Sequence, residues 1–79
     1  MPKITIYTTP ICVYCKMAKE LFAKNNVAYE EKNVASDAQA RNEMIEKSGQ
    51  LGVPVLDIDG KIIVGFNKEK IKELAGIIS

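Results

Sequence analysis

The sequence predicts an α/β domain, a four-stranded mixed sheet flanked by three helices in the order β-α-β-α-β-β-α, and two local signals carry that prediction. One is the run of strand formers Ile4-Thr5-Ile6-Tyr7, followed within a few residues by helix formers from Val13 onward. The other is Val53-Pro54-Val55-Leu56-Asp57-Ile58, then Asp59-Gly60, then Lys61-Ile62-Ile63-Val64. Asp-Gly supplies the positive φ that a two-residue hairpin turn needs.

The first strand is expected to end at Thr8-Thr9-Pro10, because proline has no ladder N–H to give. From Val13 to about Asn25 the residues Lys16, Met17, Ala18, Lys19, Glu20, Leu21 and Phe22 favour helix, with Met17 and Leu21 beside Ala18 and Phe22. Asn25-Asn26 suits the helix end, and Val27 to Val34 reads as a second strand. Ser36 followed three residues later by Gln39 is a capping-box pattern for a helix through Met44 and Ile45 to Lys47, with Gly49 just past its end. Asn67 is placed to cap a last helix in which Ile71, Leu74, Ala75 and Ile78 share one face. The first β-α-β unit is expected to be a parallel crossover, and the hairpin adds two antiparallel strands.

Seventy-nine residues make one domain, 1–79, since a chain this short leaves no room for a second core. Apolar residues are 47% and charged residues 27%, as in ordinary globular proteins. Eleven Lys and Arg against ten Asp and Glu, without a basic block, offer little to a phosphate backbone, so nucleic acid is not an expected partner. No apolar run approaches the roughly 18 residues of a membrane span. Met1-Pro2-Lys3 leads into a strand rather than a secretory segment, and the expected location is the cytoplasm, as a monomer.

The chemistry is concentrated in Cys12-Val13-Tyr14-Cys15. A cross-link over three residues restrains too little chain to be a structural staple, so in a reducing compartment the pair reads as redox-active or metal-binding. With no histidine and no further cysteine, one chain cannot assemble the four N/S ligands of a structural zinc, and no metal is expected. At the head of a helix, Cys12 faces unpaired N–H groups and the positive end of the macrodipole, which favour thiolate. Cys15, one turn on, can close a short disulfide with it. Cys12 is therefore the expected nucleophile and Cys15 the resolving thiol. Lys16 would add little to this field, and Tyr14 offers an aromatic face to a substrate peptide.

Ile6-Tyr7-Thr8-Thr9-Pro10-Ile11-Cys12-Val13-Tyr14-Cys15, Gly52-Val53-Pro54 and Val64-Gly65-Phe66, in this order and over essentially the whole chain, resemble the glutaredoxin family. The resemblance implies a thioredoxin-like fold and a cis peptide between Val53 and Pro54 facing the thiol. It also implies that Val53 pairs with the substrate's extended backbone, as an added strand would. It makes glutathione a co-substrate, with no cofactor bound, and places substrate or glutathione contacts at Thr9, Tyr14, Val53, Pro54, Gly65, Phe66, Asn67 and Lys68. Two positions depart from the family pattern. Thr9 stands where a lysine usually meets the glycine carboxylate of glutathione, and Val64-Gly65-Phe66-Asn67-Lys68 replaces a Gly-Gly-x-Asp-Asp segment. Backbone N–H groups at that helix start, reinforced by Lys68, would remain for the γ-glutamyl carboxylate.

The expected function is thus a glutaredoxin-type thiol-disulfide oxidoreductase reducing protein disulfides or glutathione mixed disulfides. Val13-Tyr14 and Gly65-Phe66 also resemble NrdH-type redoxins, which are reduced by thioredoxin reductase and donate electrons to ribonucleotide reductase. The expected partners are accordingly glutathione or thioredoxin reductase, together with disulfide-containing proteins. Two further readings are a dimer holding an iron-sulfur cluster through Cys12 and glutathione, and a binding module that docks through Phe66 and Tyr14.

Overall fold

The computed structural model describes residues 3–77. Its elements are β1 (Ile4–Thr8), α1 (Val13–Lys24), β2 (Glu30–Asn33), α2 (Ala38–Ser48), β3 (Val55–Ile58), β4 (Lys61–Val64) and α3 (Lys68–Ala75). The sheet order is β2-β1-β3-β4, with β1 parallel to β2 and both β1–β3 and β3–β4 antiparallel. This is the mixed sheet and element order that the sequence predicts.

Alternation along the strands divides the core between two faces. Ile4 and Ile6 of β1 join Leu56, Ile58 and Ile63 on one face, covered by Ala18 and Phe22 of α1 and by Ile71 and Ala75 of α3. Tyr7 and Val55 lie on the other face with Val34, Ala40 and Met44, under α2. On α1 the buried residues are Cys15, Ala18 and Phe22, while Met17 is 42% exposed, so the buried stripe starts at the second cysteine.

Four boundaries differ from the sequence reading. β1 runs through Thr8, whose hydroxyl is buried and donates to Glu31 Oε2 at 2.7 Å, a partner that lets a polar side chain end the apolar row. β2 is confined to Glu30–Asn33. Val27 instead donates to the Phe22 carbonyl at 2.9 Å, and the Tyr29 ring packs 5.4 Å from that of Phe22, which ties residues 27–29 to the end of α1. β3 starts at Val55, after a cis peptide between Val53 and Pro54. The cap of α2 is Asp37, not Ser36: Asp37 Oδ1 accepts from Ala40 N–H at 3.1 Å. A carboxylate accepts that bond more strongly than a hydroxyl, and it carries charge suited to the helix N-terminus.

The other turn signals behave as expected. Asp59 (φ 52°) and Gly60 (φ 88°) form the hairpin turn, and Gly49 (φ 74°) closes α2 by donating to the Ile45 carbonyl at 2.7 Å. Asn67 caps α3 through Lys70 N–H at 3.1 Å. Gly76 (φ 74°) ends that helix, and Ile78 lies outside the described residues.

α2 is held to the sheet by a charged cluster as well as by Ala40 and Met44. The Tyr7 hydroxyl donates to Glu43 and accepts from Lys47 Nζ at 3.1 Å, while Lys32 reaches Glu43 at 3.0 Å and Lys47 reaches Asp57 at 2.7 Å. The bonds from Tyr7 and Lys32 hold the Glu43 carboxyl down at about 2, against an ordinary 4.5. Burial raises the Tyr7 phenol, and its bond to Glu43 adds to this. The bonds to Asp57 and Tyr7 push the Lys47 ammonium upward.

Two expectations follow. Asp37→Ala lowers stability by about 1 kcal/mol, the usual worth of an N-cap, whereas Ser36→Ala leaves it near wild type; urea unfolding midpoints of the two variants test the assignment. Because Glu43 titrates lower in the folded chain than in the unfolded one, its contribution is present above about 4.5 and is lost as pH falls toward about 2. Glu43→Gln should therefore flatten the loss of stability across that window, by an amount moderated by the solvent around the side chain, as read from denaturant midpoints against pH.

Candidate active site

The site lies at the end of the sheet where β1 stops and β3 starts. Thr9, Pro10 and Ile11 carry the chain from β1 to α1, and Cys12 N–H donates back to the Thr9 carbonyl at 3.3 Å to close that turn. Cys12 then takes the N-cap position of α1 in extended conformation (φ −87°, ψ 112°). Its sulfur fills the place of a capping oxygen, accepting from Cys15 N–H at 3.1 Å. The first turn of α1 holds no acidic residue, so nothing there competes with negative charge on Cys12 Sγ.

Cys12 and Cys15 form a disulfide with Cα atoms 5.2 Å apart. The two sulfurs differ in access. Cys12 is partly exposed, whereas Cys15 is 1% exposed on the buried face of α1. Cys12 is therefore the sulfur more open to an external molecule, and Cys15 is the one shielded by the fold.

Three segments lie at this end of the sheet, and the first is the turn that holds Cys12. Thr9, Pro10, Ile11, Val13, Lys16 and Lys19 line a groove of about 350 Å³ with Cys12. Lys19 is tied to Glu31 Oε2 at 2.8 Å, and that bond, with the one from Thr8, lowers the Glu31 carboxyl. The apolar rim is open to solvent, with Ile11 92% and Tyr14 60% exposed.

The second segment is the Val53-Pro54 cis bond at the start of β3, with Pro54 buried and Val53 half-buried. The third is Gly65 to Lys68. Gly65 N–H donates to the Pro54 carbonyl at 2.8 Å, so the second and third segments lie side by side. Phe66 packs on the core beneath α1 and α3, and it shares a separate groove of about 240 Å³ with Met17, Leu21 and Lys68. The side-chain oxygen of Asn67 is already engaged as the α3 cap, leaving backbone rather than that oxygen for any ligand.

Sequence reasoning missed the buried Thr8 hydroxyl, although its place in the alternating row Ile4, Ile6, Thr8 was the available signal. It also missed Gln50, whose carboxamide bonds the backbone of Gly52. That contact depends on a loop shape for which the sequence carries no local mark. Among the described residues no group of three or more His, Cys, Asp or Glu is placed to hold a metal ion, and no helix is long and apolar enough to cross a membrane.

Fold and site together define a small thiol redox protein built on a dithiol at a helix head. Residues 4–63 match the family model described as Glutaredoxin. The chain is 51% identical over 71 residues to a protein of Clostridium pasteurianum named as an uncharacterized glutaredoxin-like 8.6 kDa protein in a rubredoxin operon, covering 90% of this chain and 95% of that one. A crystal structure of a mutant of the thioredoxin-like protein BC3987 superposes with a TM-score of 0.92 at 41% identity, covering 99% of this chain and 100% of that one. NrdH-redoxin of Escherichia coli, described as a glutaredoxin-like protein with a thioredoxin-like activity profile, gives a TM-score of 0.80 at 29% identity, covering 91% and 93%. The chain belongs to the glutaredoxin family, with the thioredoxin-like fold of its structural neighbours.

The unequal burial of the two sulfurs has a direct test. In the reduced protein, iodoacetamide at limiting concentration should label Cys12 and leave Cys15 unmodified, as read by mass spectrometry of the digested chain.

Proposed function

We propose that this protein reduces disulfides of protein partners and glutathione mixed disulfides, with Cys12 as nucleophile and Cys15 as resolving thiol. The observation that carries this reading is the N-cap position of Cys12 Sγ, held by Cys15 N–H at 3.1 Å, above a Cys15 that is 1% exposed. The Cys12 thiolate attacks one sulfur of the substrate disulfide, forming a mixed disulfide and expelling the other sulfur as a thiolate that takes up a proton. Cys15, deprotonated, attacks Cys12 Sγ and releases the second substrate sulfur as a thiol. Two electrons have passed to the substrate, and the Cys12–Cys15 disulfide remains to be reduced by an external thiol or a reductase.

In this reading Val53 pairs its backbone with the substrate and Tyr14, exposed in the first turn of α1 beside Cys12, gives it an apolar contact, while Phe66 offers a further contact in its separate groove with Met17, Leu21 and Lys68. Glutathione would lie between Thr9 and the start of α3 (Gly65 to Lys68), with Lys68 near its γ-glutamyl end. The protein is proposed to act in the cytoplasm as a monomer.

The mutant series separates the roles. Cys12→Ser should abolish reduction of both substrate classes, whereas Cys15→Ser should retain reduction of glutathione mixed disulfides and lose that of protein disulfides. An active Cys12→Ser protein would sink the assignment.

A second reading concerns the electron donor. Thr9 offers no ammonium to the glycine carboxylate of glutathione, Asn67 and Lys68 offer no acid to its amine, and the likeness to NrdH-redoxin extends over 93% of that chain. These features favour thioredoxin reductase as donor and ribonucleotide reductase as an acceptor. Supplying NADPH with glutathione and its reductase, or with thioredoxin reductase, decides between the two by which pair recycles the oxidised protein.

A further inference from the structure

The loop between α2 and β3 carries an arrangement that the redox chemistry does not itself require. Gln50 Nε2 donates to the Gly52 carbonyl at 2.8 Å, and Gln50 Oε1 accepts from Gly52 N–H at 3.1 Å. One carboxamide thus satisfies both polar groups of a single residue's backbone, as a neighbouring strand would. Gln50 is itself anchored, since its N–H donates to Ser48 Oγ at 3.3 Å. Beyond the cis bond, the Pro54 carbonyl accepts from Gly65 N–H at 2.8 Å. Val53 lies between these two fastened residues, and its own N–H and C=O have no hydrogen-bond partner among the described residues.

The identity of residue 52 belongs to the same device. A Cβ on Gly52 would stand 2.8 Å from Gln50 Oε1, closer than van der Waals contact allows. The obstructed group is the end of a flexible side chain rather than backbone, so a methyl group there would expel the carboxamide without displacing the main chain.

We propose that Gln50 is a positioning residue for the substrate, a splint that occupies Gly52 and presents Val53 as a bare backbone edge one residue wide. The inference rests on the redox reading of Cys12 and on Val53 as the docking residue. Its added content is that Gln50 and Gly52 set how well that edge is presented. With the polar groups of Gly52 occupied, an extended partner segment pairs at Val53 alone, and its cysteine is registered against Cys12 by main chain rather than by side-chain identity. The substrate class that benefits is a disulfide carried on peptide backbone. A small disulfide without backbone amides gains nothing from it.

The experiment uses the full chain, pre-reduced and mixed with excess disulfide in single turnover, so that no electron donor enters the result. One probe is the disulfide-linked dimer of a short, terminally blocked cysteine peptide, and the other is hydroxyethyl disulfide. For Gln50→Ala and for Gly52→Ala, the half-saturating concentration of the peptide disulfide should rise about three- to tenfold, as for the loss of one net hydrogen bond, with the limiting rate held within about twofold. The preference for peptide over hydroxyethyl disulfide should fall by the same factor. The double variant should be no worse than either single one, because both open the same contact. Gln50→Glu, which can still accept from Gly52 N–H but cannot donate to its carbonyl, should fall in between. An unmoved half-saturation in Gln50→Ala, or an equal loss with both disulfides, overturns the splint while leaving the redox reading intact. A wild-type protein that reacts with neither disulfide overturns the redox reading, and the proposal with it.

Discussion

The antiparallel pairing of β1 with β3 at the centre of the sheet is the constraint on which the site depends. Because the two strands run in opposite directions, the end of β1 meets the start of β3, with Tyr7 opposite Val55. The loop that leads to Cys12 and the Val53-Pro54 bond are therefore brought to one edge of the molecule, though some forty residues separate them in the chain. The hairpin adds the third segment through the pairing of Val55 with Val64, after which Gly65 N–H reaches the Pro54 carbonyl. A parallel β1–β3 pairing would have sent the cysteines and the cis-proline to opposite ends of the sheet.

The two faces of the sheet are stabilised by different means. The face under α1 and α3 is an apolar core of Ile, Leu, Phe and Ala, and its burial provides the main cohesive term. The face under α2 is mixed, because Tyr7 brings a hydroxyl into a buried position that must be satisfied. Glu43 and Lys47 satisfy it from α2, and Lys32 and Asp57 extend the cluster to the sheet. These directional bonds set where α2 sits, and thus where the loop carrying Gln50 and Gly52 begins. The position of α2 is in this way coupled to the active-site edge without touching the cysteines.

Much of this was legible from local chemistry. Asp59-Gly60 specified its turn because few residue pairs accept two consecutive positive φ values, and Gly49 specified a helix end for the same reason. Asn67 capped its helix as its side chain predicts. The capping pattern of Ser36 and Gln39 misled because Asp37, one residue later, is the stronger acceptor, and spacing alone does not rank competing caps. Val27 to Tyr29 resembled strand because β-branched and aromatic residues also suit a packed turn, and it is the Phe22 ring beneath them that decided their conformation.

By itself, the sequence determined the element order, the hairpin and the placement of a dithiol at the head of a helix, because each rests on residues within a few positions of one another. The tertiary structure decided what surrounds that dithiol. The burial of Cys15 against the exposure of Cys12, the bond of Thr8 to Glu31, the meeting of Gly65 with Pro54 and the bare backbone of Val53 beside Gln50 and Gly52 all depend on how chain segments approach in space. A hydrogen bond or a solvent-accessible sulfur is a property of distances, and over such separations in the chain those distances are set by strand pairing and packing.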